Sequence, residues 1–593
     1  MEPGLHAKPN HERTVRILAW AVLGLIGAWL ASSLYFVNIE FDDGYTTIAN
    51  SQYFLGLSEG YFWQRGPLLA VLLMPAEYVA SRLGLHPLNV QAHHALMASL
   101  HFAYLVAVWR LLVWRFGASF KVLAAFMYAV PTVVFFSYAP FISHDILPGL
   151  IALLMLITAD SFMAHRIRRS WWLLVALGAA VALIKHTYAL IWVAVLLANL
   201  TLIALGSSSD RRAWTGWLWL LLAAVLSGIL TWIGYVCALW GSFLDVPLLL
   251  RPYHQIAQFI THFRREGAID EIIYQWVYLR NLSAYGVAAG ALAIPGLYFA
   301  AISGDRLLKT IAVAWVVLFV SMHLIAFKEV RYLAYLAPLT AFLLVPGLAG
   351  LAALRPAYAK VFVLIWLIDL AGITTEAQRI FNSYYRDAVT QFLAPLPTAA
   401  KLTTPLVMTE RLSFISPDSH AFFGDRYHRI SNIIDDQIRL LYGYPAARVI
   451  RFPDVRGLHM GMFPVGSILI FVNDVAARVP PIHADNSTSL QDYFVQLIGV
   501  AEEIRLIRYG DRYRTAAPSR QPILLLRAQG VTADPLNTYG DFAITELERI
   551  SGQAYRDTEI QIIAFRVHAA CNIIGCAVYD SGSPAQRADA TER

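Results

Sequence analysis

Charge is scarce in this chain: Asp, Glu, Lys and Arg make up 15% of 593 residues, where a soluble globular chain carries about 25%. That deficit excludes an ordinary water-soluble enzyme. Cysteine is scarcer still, with three in all, which excludes a disulfide-built scaffold and a cysteine-based zinc site. No internal repeat is present, and the only low-complexity piece is the polar tail after about Ser581, expected to be disordered. The basic excess, a formal +6, forms no continuous stripe. Lys and Arg come in short clusters between apolar segments, which argues against nucleic acid and reads as membrane topology.

Apolar runs stand in place of the missing charge. Hydrophobic residues reach 58% and mean hydropathy is +0.53. A spanning helix needs roughly 20 apolar residues, because lipid offers its backbone no hydrogen-bond partner. About eleven runs meet that need, near 15–37, 93–113, 121–139, 146–164, 171–184, 188–206, 214–238, 284–303, 309–327, 332–352 and 359–375. The first is too long for a signal-peptide core and is read as a retained helix. A further run at 65–83 holds Pro67, Pro75, Glu77 and Arg82. Read as an interfacial helix, it leaves every basic cluster on one side, from Lys8, Arg13 and Arg16 to Arg355 and Lys360; read as a span, it scatters them.

The expected fold is therefore a polytopic α-helical membrane protein over residues 1–375, with a cytoplasmic N-terminus and an interfacial helix in its first outer loop. After about residue 376 the apolar runs shorten to strand length, as in Ser467–Val472 and Ile523–Leu526, and prolines and charges multiply. This implies a soluble α/β domain over 376–593 on the outer face. There Cys571 and Cys576 would meet an oxidising compartment, where they are expected to pair.

Ionisable groups at membrane depth are costly, so those that loops cannot explain are functional candidates. Asp42 and Asp43, followed by Tyr45, come just after the first span; they either cap a helix, accept a proton or hold a divalent ion. Arg65 in Arg-Gly-Pro opens the interfacial run, either snorkelling or binding an oxyanion with its planar fork. His144-Asp145 precedes an apolar helix on the same side, so that Asp42 and Asp145 from separate loops make a plausible divalent site. Lys185-His186 sits at a tight turn between two spans, and Lys328-Glu329-Val330-Arg331-Tyr332 is wedged between two more. Tyr61, Phe62, Trp63 and Tyr78 either belt the interface or face an isoprenoid tail.

Together these residues carry a resemblance. Asp-Asp-x-Tyr in the first outer loop, then Arg-x-Pro, then Tyr-Ala-x5-Asp ending at Asp145, then Lys-Glu-x-Arg-Tyr-Leu, resemble the GT-C glycosyltransferases. The branch most alike is the bacterial one, similar to protein O-mannosyltransferases and aminoarabinose transferases. The resemblance runs over about residues 15–375 in matching order and topology. It implies an inverting transferase of the bacterial inner membrane, moving a sugar from a polyprenyl-phosphate donor to a glycan, lipid or protein acceptor at the outer face.

Carried over by position, the resemblance makes Asp42 the general base with Asp43 beside it. Arg65, Lys185, Lys328 and Arg331 become donor-phosphate contacts, and Asp42 and Asp145 the ligands of a possible divalent metal ion. Tyr45, His144, His186, Glu329 and Tyr332 would line the acceptor side. The chain departs from the aminoarabinose branch in having Tyr45 where an Arg is usual and Arg65-Gly66-Pro67 where Lys-Pro-Pro is usual. The segment after 376 resembles no family. Two other classes fit the composition: a flippase for a lipid-linked saccharide, and a non-catalytic envelope-assembly protein. Against the flippase, the charges gather at one face without repeated halves.

Overall fold

The computed structural model describes residues 9–37, 40, 42–57, 61, 66–85, 89–185, 190–206, 211–238, 286–324 and 330–381, together with six strands between 406 and 567. For the strands, and for Asp42 and Asp43, it describes the backbone alone. The helical part runs α1 (Pro9–Phe36), α2 (Asp42–Phe54), α3 (Pro67–Arg82), α4 (Gln91–Phe116), α5 (Phe120–Ala129), α6 (Val133–Tyr138) and α7 (Leu147–His165). It continues with α8 (Arg168–Ile184), α9 (Leu190–Leu205), α10 (Arg211–Ala238), α11 (Val287–Ile302), α12 (Arg306–Leu324), a 3-10 turn (Val330–Leu336), α13 (Ala337–Leu354) and α14 (Pro356–Phe381).

The described part of each of the eleven apolar runs is largely helical; residues 188–189, 284–285 and 325–327 lie outside the described residues. Among the described residues seven helices are long and apolar enough to cross a bilayer, and α5, α9 and α11 are shorter apolar helices. The chain is a multi-pass membrane protein. One expectation needs correcting: the run at 121–139 is two helices, not one. Pro131 lacks an amide proton and crowds the residue before it, and Thr132 then caps α6 by accepting from the Phe135 amide.

Lipid gives apolar side chains no hydrophobic reason to associate, so the helices depend on close packing and internal polar contacts. At the α11–α13 crossing Gly347 faces Gly296, where an added Cβ would sit 3.0 Å from the opposing Cα. Asp369 of α14 accepts from the Val287 and Ala288 amides at 2.7 and 2.8 Å, satisfying the start of α11, which Gly286 cannot cap.

Two ends of the bundle can be told apart by their contacts. At one, Arg115 pairs with Asp305, Arg306 with Asp160, and Arg166 donates to the Arg212 carbonyl, joining the basic junctions to one another. The other end gathers the N-termini of α2, α4 and α7, the C-terminus of α8 and the 3-10 turn. Both Gly66, just before α3, and Glu77 within it touch this second end, at Ile184 and His93 respectively. Thus α3 lies along the end of the bundle, as an interfacial helix should.

The six strands are β1 (Leu406–Thr409), β2 (Val449–Phe452), β3 (Ile468–Asp474), β4 (Ala501–Tyr509), β5 (Leu524–Leu526) and β6 (Ile560–Val567). They form one mixed sheet in the order β2-β1-β3-β6-β4-β5. β1 runs parallel to β2 and β3, and the remaining pairs are antiparallel. Parallel neighbours require crossover connections of a dozen residues or more, which the long segments separating β1, β2 and β3 supply. β3 and β5 coincide with the two strands read from the sequence. Cys571 and Cys576 lie outside the described residues.

Candidate active site

The second end of the bundle owes its shape to three glycines. Gly149, in the first turn of α7, packs against the 3-10 turn so tightly that a Cβ would sit 2.8 Å from the Tyr335 carbonyl oxygen. That approach brings Arg331 against the segment ending in Asp145. Gly66 donates its amide to the Ile184 carbonyl at 3.3 Å, and a Cβ there would fall 1.8 Å from the Leu183 oxygen. The backbone next to Arg65 is thereby docked next to Lys185. Gly44 makes room for Glu40, whose Cγ would lie 2.1 Å from an added Cβ.

Asp145 is the electrostatic centre. It is 1% exposed, with Arg331 Nε 3.3 Å from one carboxylate oxygen and Lys185 Nζ 3.7 Å from the other. Both distances exceed ordinary hydrogen-bond lengths, so the contacts act through charge, strengthened by a buried surrounding of low dielectric. Tyr332 lies under both cations: Lys185 Nζ is 4.7 Å and Arg331 Cζ 5.9 Å from its ring centroid.

A second layer joins α2 to α4 and to the Asp145 segment. Glu40 Oε2 lies 2.8 Å from His94 Nε2 and accepts the Ile142 amide at 2.8 Å. His94 Nδ1 faces the Val37 carbonyl at 3.2 Å. Thr47 Oγ1 meets His144 Nε2 at 3.0 Å. Tyr45, a candidate substrate contact, is buried, and its hydroxyl accepts the Glu40 amide at 3.1 Å. Deeper along α3, Glu77 accepts from Gln52 at 3.2 Å and lies 2.9 Å from His93 Nε2, off the ring N–H direction.

Of the residues singled out in the sequence, Tyr45, His144, Asp145, Lys185, Arg331 and Tyr332 come together here. The side chains of Asp42 and Asp43, and all of Arg65, His186, Lys328 and Glu329, lie outside the described residues, as do Phe62 and Trp63. Tyr61 is buried against Tyr53 and Phe54 at centroid distances of 5.6 and 5.7 Å. Burial pushes its phenol well above the ordinary value, and Tyr235 and Tyr53 add to the rise. Tyr78 is half-exposed and receives the Arg82 Nε donor at 3.0 Å.

Glu40, His94 and Thr47 escaped the sequence reading. The signals were a third carboxylate two residues before Asp42, and His93-His94 at the mouth of a span, where an imidazole is as conspicuous as a charge.

Of the two carboxylates read as ligands of a possible divalent ion, the Asp42 side chain lies outside the described residues and Asp145 is already approached by two cations. Among the described residues no three His, Cys, Asp or Glu side chains converge as ligands. A divalent ion would add like charge to that pocket.

No family model matches the chain, and no curated protein matches it. Solved structures do. The chain is similar to ArnT from Cupriavidus metallidurans bound to undecaprenyl phosphate, at 15% identity and TM-score 0.50, over 77% of this chain and 92% of that one. It is also similar to the archaeal oligosaccharyltransferase AglB from Archaeoglobus fulgidus in complex with an inhibitory peptide and a dolichol-phosphate. That match has 11% identity and TM-score 0.51, over 93% of this chain and 89% of that one. At such identities the likeness establishes the fold. The chain has the GT-C polytopic membrane fold.

Proposed function

We propose that the protein is an inverting membrane glycosyltransferase. It takes a sugar from a polyprenyl-phosphate donor and passes it to a hydroxyl of a glycan, lipid or protein acceptor at the outer face of a bacterial inner membrane. One observation carries this reading. The chain buries Asp145, Lys185 and Arg331 together at the end of the bundle where the Asp42-Asp43 helix begins, within a GT-C fold. Two solved proteins of that fold hold undecaprenyl phosphate and a dolichol-phosphate, which supports a lipid-phosphate ligand.

Such a reaction asks three things of the chain. A carboxylate must take the proton of the acceptor hydroxyl as its oxygen attacks the anomeric carbon; that role falls to Asp42, assisted by Asp43. The bond from the anomeric carbon to the phosphate oxygen breaks as the new glycosidic bond forms, through a transition state with oxocarbenium character. Negative charge grows on the departing lipid phosphate, and Arg331, Lys185 and Arg65 are the cations to stabilise it, with Lys328 close to Arg331 in sequence.

On this reading Asp145 has a defined part. Unbalanced cations buried this deeply would be expensive, so the one carboxylate offsets part of their charge, and the phosphate competes with it for the same guanidinium and ammonium groups. His144, His186, Glu329 and Tyr332 remain candidates for the acceptor side. The aromatic shelf of Tyr53, Phe54 and Tyr61 suits the isoprenoid tail.

The test is transfer from a synthetic polyprenyl-phosphate sugar by purified protein. Asp42→Asn with Asp43→Asn should lower the rate by about 100-fold or more while donor binding persists, in line with loss of a general base. Undiminished transfer would remove the base assignment. Lipid movement across vesicles without transfer would mark a flippase instead.

A further inference from the structure

The acidic pair at the start of α2 must be held at a fixed distance from Asp145, yet the two lie on separate segments of chain. Two contacts bracket the pair. Before it, Glu40 Oε2 accepts the Ile142 amide at 2.8 Å; after it, Thr47 Oγ1 meets His144 at 3.0 Å. Residues 40 and 47 flank Asp42 and Asp43, and residues 142 and 144 lead into Asp145. The two segments are therefore strapped together on both sides of the proposed base.

The first strap is wholly buried. Glu40 and His94 are 1% and 0% exposed. His94 is itself oriented, because its second ring nitrogen faces the Val37 carbonyl at 3.2 Å, and a carbonyl can only accept. Nδ1 can only donate to that carbonyl, while Nε2 faces the Glu40 carboxylate. The Glu40 main chain is fixed as well, since its amide donates to the Tyr45 hydroxyl at 3.1 Å. Gly44 completes the arrangement. Any side chain at that position would collide with the Glu40 carboxyl group, with Cδ 2.3 Å from an added Cβ, so the glycine after the acidic pair is there to let Glu40 fold across the helix start.

We propose that Glu40, oriented by His94, is a positioning residue that fixes the Asp42-Asp43 turn against the Asp145 segment. The proposal rests on the glycosyltransferase reading for its catalytic consequence, but the strap is a structural claim with its own readout. The carboxylate acts through geometry and not as the base. An amide can keep the strap: both contacts fall on the one oxygen, Oε2, so a Glu40→Gln carbonyl placed there still accepts the Ile142 amide, with the His94 Nε2–H donating to the same oxygen.

The experiment compares E40Q, E40A and H94A as full-length protein in nanodiscs, by two measurements. Hydrogen exchange of the peptide containing Ile142 reads the strap directly. It should stay slow in E40Q and rise about tenfold or more in E40A and H94A, as local opening becomes easier. Transfer kinetics should show kcat falling by about 100-fold in E40A, the cost of a misplacement of about 1 Å, with donor KM nearly unchanged and E40Q close to wild type.

If E40Q is as inactive as E40A while its exchange stays slow, the charge itself is needed and the positioning role is overturned. Slow exchange in both E40A and H94A overturns the strap. Should E40A fail to fold, E40Q and H94A still decide between these outcomes. Absence of transfer in the wild type would count against the glycosyltransferase reading alone, since exchange at Ile142 would still report on the strap.

Discussion

The two ends of the bundle use charge in opposite ways. At the basic end, ion pairs remain partly in contact with solvent: Arg306 and Asp160 are 39% and 22% exposed, Arg115 and Asp305 34% and 25%. At the other end the charged groups are taken out of solvent, with Asp145 and Lys185 at 2% and 6% side-chain exposure. Exposed pairs contribute little and are screened by salt. Burying charge costs several kcal/mol per ion before pairing offsets it. A fold has no structural need for that expense when apolar side chains would pack as well. On the proposed function the buried cluster is the site of chemistry, while the exposed pairs hold helix ends together.

The sharpest way to break this comparison is Asp145→Ala. It leaves Lys185 and Arg331 buried beside each other without the carboxylate, and loss of one partner from a buried pair costs about 3–5 kcal/mol. A large drop in thermal stability in detergent is expected, together with loss of transfer. A stability within about 0.5 kcal/mol of wild type would mean the cations are solvated or paired elsewhere, and the two ends would no longer differ in kind.

Gly66→Ala should have the next largest effect. The new Cβ cannot share space with the Leu183 carbonyl, so the backbone must withdraw from α8, at about 1–3 kcal/mol for such overpacking. Because Arg65 is the neighbouring residue and Lys185 begins one residue past Ile184, donor KM should rise more than kcat falls. An unchanged KM would separate Arg65 from the phosphate site.

How much of this was legible beforehand depended on the range of the interaction. Spanning helices announce themselves locally, because each needs a run of apolar residues, and the described part of each of the eleven runs is largely helical. The break at Pro131 was written in the sequence as well, but within a uniformly apolar run its effect is easily passed over. Asp145, Lys185 and Arg331 stood out because a charge between apolar runs is conspicuous wherever its partner lies. Glu40 and His94 were passed over despite that signal, since their pairing joins positions 54 apart and each, taken alone, reads as an ordinary polar residue at the end of a span. Gly44, Gly66 and Gly149 were opaque for a related reason: what forbids a side chain there is an atom supplied from outside the immediate motif, or backbone from another helix.

The mildest prediction tests the other arm of the comparison. Arg16 and Glu12 form an i,i+4 pair at 2.6 Å on α1, with side chains 56% and 41% exposed. Glu lies N-terminal to the cation, the favourable order for the helix dipole, yet such pairs contribute only about 0.3–0.5 kcal/mol and less in high salt. Arg16→Gln should therefore shift thermal unfolding hardly at all, and the small shift should vanish at about 1 M salt, where the screening length falls to about 3 Å. Transfer should be unaffected, because this pair lies far along the chain from Asp145 and shares none of its partners. If Arg16→Gln instead destabilised the protein as much as Asp145→Ala, solvent exposure would not be what separates the two kinds of charge. The argument from burial to chemistry would then lose its footing.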